Sequence, residues 1–284
     1  MSRNYDAIVL DLDGTLLDDD SRLPERNRQV LRAAHERGVR VMIATGRSNL
    51  SSHEIVAELG IDQPAVVFNG AGLYCARRQK MLEERTLSGR TLERTLRYAE
   101  RHALLPVVMC ADQKLALPAR DAHEEAALAF MSGLKLVGRE ELLQTEFVIR
   151  VSLFSRDHTT SEHFAQQCEQ SLQQPVYITH FPLNVLASHR SNPLQVLDIH
   201  APCLGKGEAL RILAEQHGIA PERVVAVGDA TNDIPMFERA GLSVAMENGM
   251  AEARAVARRV IGSNNSDALA QLVEELFLSS SSER

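Results

Sequence analysis

Ile8-Val9-Leu10-Asp11-Leu12-Asp13-Gly14-Thr15-Leu16-Leu17 is the stretch whose reading decides the fold. Apolar residues run almost unbroken into two aspartates, as in a parallel strand covered on both faces. Asp11 and Asp13 are two positions apart, so in extended backbone they point to the same side. Gly14 then lets the chain turn sharply. Two carboxylates side by side at a buried strand end repel each other and are costly to desolvate. A cation between them removes much of that cost, and Mg2+ favours such hard oxygen ligands. One carboxylate is a candidate nucleophile and the other a candidate general acid/base. Asp-Gly alone reads as no more than a polar turn, and it is the whole string that points to chemistry.

Composition narrows the field. A chain of 284 residues with 44% hydrophobic and 24% charged residues is ordinary for a soluble globular protein of one large or two ordinary domains. A net charge of −7, 4% aromatic residues and no Trp argue against a nucleic-acid partner, which needs a basic face and bases to stack. No apolar run approaches the ~20 residues that cross a bilayer, so no membrane partner is expected. Met1-Ser2-Arg3-Asn4-Tyr5-Asp6 shows no signal-peptide pattern. Cys75, Cys110, Cys168 and Cys203 are scattered without a CxxC and read as reduced thiols of a cytoplasmic protein. The histidines show no HExxH spacing.

Outward from the first stretch, strands and helices alternate. Asp18-Asp19-Asp20-Ser21 is a polar turn, and a helix over Glu25–Arg37 is expected, stopped by Gly38. Val39–Ala44 is a second strand running into Thr45-Gly46-Arg47, with a helix over Asn49–Leu59 behind it. A strand, a small polar turn and a helix N-terminus make an anion site, in which the Thr45 hydroxyl and backbone N–H groups such as that of Gly46 meet phosphate oxygens. Ala65–Phe68 is a third strand leading into Asn69-Gly70-Ala71-Gly72, and Leu73–Cys75 pairs with Met81–Glu84 as a hairpin. Further on, Gly205-Lys206-Gly207 opens a helix over Glu208–His217, and flanking glycines make the lysine a candidate phosphate clamp. Val224–Val227 is a strand ending in Gly228-Asp229-Ala230-Thr231-Asn232-Asp233, a second apolar strand followed by paired acids. Leu242–Met246 leads into Glu247-Asn248-Gly249. A helix over Ala251–Arg258, a short strand at Val260-Ile261 and a helix to Leu278 close the pattern, and the polar tail Ser279–Arg284 is expected to be disordered.

These four stretches, in this order, resemble the four motifs of the haloacid dehalogenase superfamily, and the Asn69-Gly70-Ala71 loop resembles its Cof-like members. The resemblance implies an α/β fold, a Rossmann-like doubly wound parallel sheet with an inserted α+β cap domain. It implies an Mg2+-dependent phosphate-monoester hydrolase acting on small phosphorylated metabolites: sugar phosphates, pyridoxal phosphate or flavin mononucleotide. Asp11 would be the nucleophile that forms an aspartyl-phosphate, and Asp13 the acid/base. Thr45, Gly46, Lys206 and Asn232 would hold the phosphoryl group. Asp11, Asp229, Asp13 through its backbone carbonyl, and Asp233 through water would hold the metal. Two departures stand out: Gly205 sits where a Ser is usual, and Glu247 where a smaller residue is usual. A phosphomutase, a dedicated sugar-phosphate phosphatase or a non-catalytic sugar-phosphate sensor would share much of this pattern. A sensor has no need of both Asp11 and Asp13, and this chain keeps both.

The insertion falls between Thr45 and Lys206, where the spacing far exceeds a β-α unit. Helices over Thr91–His102, Ala122–Ser132, Arg139–Leu143 and Ser161–Leu172 alternate there with strands at Leu105–Met109, Lys114–Leu117, Phe147–Phe154, Val176–Thr179 and Asn184–Ala187. The expected division is a core of residues 1–86 and 190–284 and a cap of residues 87–189, with Gln195–Ile199 as the first strand back in the core. Ser188-His189-Arg190-Ser191-Asn192 would then be the return linker. His189, Arg190 and Asn192, with Asn69 and Gly70, are its candidate leaving-group contacts.

Overall fold

The structure is a computed structural model and describes residues 4–186 and 189–279. Ala187, Ser188 and the tail beyond Ser279 lie outside the described residues. The chain forms two compact units, one of residues 1–83 and 204–284, the other of residues 84–203.

In chain order the first unit begins with β1 (Ala7–Leu10), α1 (Glu25–Glu36), β2 (Arg40–Ile43), α2 (Asn49–Leu59), β3 (Ala65–Val67), β4 (Gly72–Cys75) and β5 (Lys80–Glu84). The second unit contains α3 (Gly89–Arg101), β6 (Leu105–Met109), β7 (Lys114–Ala116), α4 (Ala122–Ala129), β8 (Leu134–Leu136) and α5 (Arg139–Gln144). It continues with β9 (Arg150–Ser155), α6 (Ser161–Leu172), β10 (Tyr177–Pro182) and β11 (Gln195–His200). The first unit resumes with α7 (Glu208–His217), β12 (Val224–Gly228), α8 (Ile234–Phe237), β13 (Leu242–Met246), α9 (Ala251–Val256), β14 (Arg259–Ile261) and α10 (Ala268–Val273).

The first unit is built on a parallel sheet of order β14-β13-β12-β1-β2. Every residue of β1 is fully buried, because helices cover both faces. Ala7 and Val9 pack with Leu210 and Leu213 of α7 and Met236 and Phe237 of α8. Ile8 and Leu10 point to the opposite face, where α1 packs against β2 and α10. Burying each such aliphatic side chain contributes about 1.5–3 kcal/mol, which explains the unbroken apolar runs. The chain leaves β1 toward β2 on one side and returns to β12 on the other, so the order reverses between β1 and β12. Crevices at such a reversal, beyond the carboxyl ends of the strands, are where these sheets bind ligands. Beside β2, Ala44 bridges Val66 in parallel, and β3, β4 and β5 form a small sheet that includes the expected hairpin.

The second unit is a mixed sheet of order β10-β11-β9-β6-β7-β8, antiparallel except for β7 with β8. Leu92 and Leu96 of α3 and Phe164 and Cys168 of α6 cover one face through Val108, Val151, Leu153, Leu197 and Ile199. The architecture is therefore the doubly wound parallel sheet with an inserted α+β unit.

Two expectations fail in the second half of the insertion. Gln195–His200 does not re-enter the parallel sheet: it pairs antiparallel with both β10 and β9. Its Leu197 and Ile199 belong to the inserted unit's core, and Asp198 accepts from Ser152 and Arg150 across the strand pair. The core resumes at Leu204, not at 190. A strand over Asn184–Ala187 is also absent among the described residues: after Pro182 the chain turns through a short 3-10 helix, Leu183–Val185.

Candidate active site

Asp11 leaves the end of β1 beside the end of β12, where its N–H donates to the Val227 carbonyl at 3.0 Å. A single wide turn, Leu12–Leu16, follows and is closed by the Leu17 N–H on the Leu12 carbonyl at 2.9 Å. Gly14 sits in that turn at φ +71°, and a Cβ there would lie 2.5 Å from Asp229 Oδ2. Only glycine satisfies both the left-handed backbone and the approach of the carboxylate.

Asp11, Asp229 and Asp233 each present one carboxylate oxygen, all within 4.8 Å of one another. Lys206 is fully buried among them, its Nζ 2.7 Å from Asp11 Oδ1 and 2.6 Å from Asp233 Oδ1. Asp233 Oδ2 accepts the N–H groups of Asp229 and Ala230 at 2.8 and 2.9 Å. Asp233 therefore clamps the loop after β12 and anchors Lys206. The Thr15 hydroxyl donates to Asp229 Oδ1 at 3.2 Å.

The electrostatics of this cluster are unbalanced. Burial pushes Asp11 up to about 7, with Lys206 opposing and Asp233 and Asp13 adding to the rise. Burial, then Asp11 and Asp233, hold Asp229 well above the usual carboxylate range, against Lys206 and the Thr15 hydrogen bond. For Lys206 burial alone would lower the pKa, but the flanking Asp11 and Asp233 carboxylates raise it. One ammonium thus serves two buried acids and a half-buried third. A divalent cation fits what this donor set lacks: it is all hard oxygen, converges within one ion's reach and carries surplus negative charge.

Asp13 lies outside this trio. Its carboxylate is held in a fork by Arg47, Nε to Oδ2 at 2.8 Å and Nη2 to Oδ1 at 2.5 Å. Its side chain is 45% exposed, so the metal assignment of Asp13 finds no support in its carboxylate. The fork suits a proton-transfer group that must be aimed yet reached by substrate. Sequence reading missed Arg47. The signal was present in Thr45-Gly46-Arg47, but an arginine in a turn is ordinarily a solvated charge.

The Thr45 loop is stitched to the Asn69 loop. Thr45 is fully buried; its hydroxyl accepts the Arg47 N–H at 3.1 Å, and its carbonyl accepts the Asn69 N–H at 3.0 Å. The Asn69 side chain lies against Gly46 and accepts from Asn232 Nδ2 at 3.0 Å. Gly70 runs against the Gly205 carbonyl in the Lys206 loop. Asn69 and Gly70 therefore join Thr45, Gly46, Lys206 and Asn232 in one set of loops beyond the strand ends, next to the acids.

His189, Arg190 and Asn192 belong to the other unit. His189 is buried with its ring edge-on to Phe130 at 4.7 Å, and Asn192 Nδ2 donates to the His123 carbonyl at 2.9 Å. His189 and Asn192 tie their own turn to the two ends of α4. Because the core resumes at Leu204, the return-linker argument that selected them does not hold.

Comparison with known proteins agrees with this geometry. The family model of haloacid dehalogenase-like hydrolases matches residues 8–273. Pyridoxal phosphate phosphatase YbhA of Escherichia coli is 28% identical, over 94% of this chain and 97% of its own. The phosphatase YitU of Bacillus subtilis, named for 5-amino-6-(5-phospho-D-ribitylamino)uracil, is 27% identical over 95% of this chain and 97% of its own. The chloroplastic endoribonuclease YBEY of Arabidopsis thaliana is 27% identical over 95% of this chain, which spans only 46% of that larger protein. A haloacid dehalogenase-like hydrolase from Bacteroides thetaiotaomicron superposes with a TM-score of 0.76 at 25% identity, covering 96% of this chain and all of the other. No helix among the described residues is long and apolar enough to cross a membrane. With matching sequence, fold and strand-end acids, the chain belongs to the haloacid dehalogenase-like hydrolase family, among its Cof-like phosphatases.

Proposed function

We infer that this phosphatase hydrolyses monoesters of small phosphorylated metabolites through a phosphoryl group carried on Asp11, with Mg2+ at the acid cluster. The observation that carries this reading is the division of labour between the two aspartates of the first stretch. Asp11 is buried against Lys206 and the other acids, whereas Asp13 is held at the rim by Arg47.

In this reading the Asp11 carboxylate attacks phosphorus and the P–O bond to the leaving group breaks. The leaving oxygen takes a proton from Asp13, and an aspartyl-phosphate remains. Asp13 then accepts a proton from water as that water attacks phosphorus, which frees phosphate and restores both acids. Lys206, the Thr45 hydroxyl, the Gly46 N–H and one amide hydrogen of Asn232 hold the phosphoryl oxygens and offset their developing charge. Asp11 and Asp229 would hold the metal directly, Asp13 through its backbone carbonyl, and Asp233 through water. Bound Mg2+ supplies the positive charge that the three acids and the phosphoryl group together require. Asn69 and Gly70 border the entrance for the leaving group. The names of the relatives direct attention to pyridoxal phosphate and flavin-precursor phosphates, with sugar phosphates and flavin mononucleotide also in the class. The scattered free cysteines support a cytoplasmic setting.

The test is phosphate release from a panel of these esters and nucleotides with Mg2+, repeated with EDTA. Turnover of at least one small ester, abolished by EDTA and restored by Mg2+, is expected. Full activity in metal-free buffer would overturn the metal assignment, and no turnover of any ester would overturn the function.

A further inference from the structure

The loop after β13, Glu247-Asn248-Gly249-Met250, touches both halves of the acid cluster without contributing an acid to it. On one side the Asn248 Nδ2 donates to the Gly14 carbonyl at 2.8 Å. That carbonyl belongs to the turn that carries Asp13. On the other side the Met250 N–H donates to the Asp229 carbonyl at 2.7 Å. Gly249 lets the two backbones meet: a Cβ there would lie 2.6 Å from the Asp229 carbonyl oxygen.

Asn248 is itself aimed from behind. Its Oδ1 accepts the Asn264 N–H at 2.9 Å, which directs the amide nitrogen toward Gly14. Asn264 is buried, and its own Nδ2 donates to the Leu17 carbonyl at 2.9 Å and to Asp19 Oδ1 at 3.2 Å. Asn27 adds a hydrogen bond to the Leu16 carbonyl at 3.3 Å. The Leu12–Leu16 turn is thus gripped at its middle and at its C-terminal end by asparagine side chains, and one of these shares a four-residue loop with the grip on Asp229.

We propose that Asn248 is a positioning residue that sets the spacing between the Asp13–Gly14 turn and the Asp229 carboxylate, and thereby the fit of the acid cluster to a divalent cation. Gly14 already lies against that carboxylate, so rotation of the Gly14 peptide alters the cluster directly. The inference rests on the metal-dependent reading above and extends it to a residue outside the four motifs.

The test uses the full chain with Asn248→Ala and Asn248→Asp. The aspartate variant keeps an oxygen for the Asn264 N–H but loses the donor to Gly14 and sets a negative charge against its carbonyl. Mg2+ affinity is read by titration calorimetry without substrate, alongside kcat, KM and Tm. The expected result is Mg2+ binding weakened about five- to tenfold in Asn248→Ala, the scale of one lost hydrogen bond, and at least as much in Asn248→Asp. KM at saturating Mg2+ and Tm should stay near wild type, because Asn248 is an exposed residue. Wild-type Mg2+ affinity in both variants would overturn the proposal, as would a loss that follows Tm alone. A wild-type chain that hydrolyses esters but binds no Mg2+ would instead overturn the metal reading, and this inference with it.

Discussion

Lys206→Met removes the ammonium from the acid cluster while keeping most of the stem. In the native site Nζ lies 2.7 Å from Asp11 and 2.6 Å from Asp233 and is fully buried. Breaking a buried pair by deleting one partner costs about 3–5 kcal/mol, because the other charge is left uncompensated. Part of that cost is relieved when the orphaned Asp11 takes up a proton. Asp11 already stands at about 7 with Lys206 lowering it, so without Lys206 it moves higher still. At neutral pH the nucleophile would then be largely protonated in the metal-free protein. With Mg2+ saturating, the remaining loss is that of a charged hydrogen bond to the phosphoryl group, about 1.5–3 kcal/mol, or roughly ten- to hundredfold in rate. The assay is kcat/KM against pH at saturating Mg2+, together with the inhibition constant of inorganic phosphate. We expect both to worsen at least tenfold. A folded variant with kcat/KM within threefold of wild type and unchanged phosphate inhibition would refute the role of Lys206.

Arg47→Ala should lower kcat about tenfold or less, since a part-exposed ion pair contributes only about 0–1 kcal/mol to stability and acts here by aiming Asp13. Mg2+ affinity should be unchanged, and Arg47→Lys should rescue poorly because a lysine does not reproduce the fork; full rescue by lysine would argue against the fork. Asp13→Asn should slow turnover of metabolite esters far more than of p-nitrophenyl phosphate, whose leaving group needs no proton, and equal losses on both would place the acid elsewhere. His200 is fully buried in β11, and that burial, with Asp198 opposing and Arg150 adding, pushes its pKa down to about 4. The folded state then binds fewer protons than the unfolded state between pH 6.5 and about 4, so its contribution to stability is complete above 6.5 and lost as pH falls through that window, by about 3 kcal/mol. Urea denaturation of His200→Leu should show a flatter dependence over this range, and an unchanged slope would mean that His200 does not titrate there.

The parts of the site that sequence made legible share one physical signature. Buried parallel strands demand unbroken apolar runs, so Ile8–Leu10 and Val224–Val227 stand out. An acid placed directly after such a run must have a reason to sit at a buried strand end. Thr45 and Lys206 were found through the glycines around them and the order of the motifs. Contacts between distant loops were not legible. The Arg47–Asp13 fork and the Asn248–Gly14 hydrogen bond join ordinary surface residue types, and nothing local marks the partner. The end of the inserted unit was misplaced for a related reason. Gln195-Val196-Leu197-Asp198-Ile199 reads equally well as a core strand, and only its pairing with β9 and β10 decides its sheet. Asp198 was the local clue, an acid within an apolar run whose partners Arg150 and Ser152 lie on another strand.

The central claim is that the phosphoryl group passes through Asp11. It is tested most directly by mixing enzyme, Mg2+ and p-nitrophenyl phosphate, quenching in acid, and locating the added phosphoryl mass by peptide mass spectrometry. The account predicts the group on Asp11 in wild type, more of it in Asp13→Asn, where hydrolysis of the intermediate lacks its base, and none in Asp11→Asn. A phosphoryl group on any other residue, or wild-type turnover by Asp11→Asn, would contradict it.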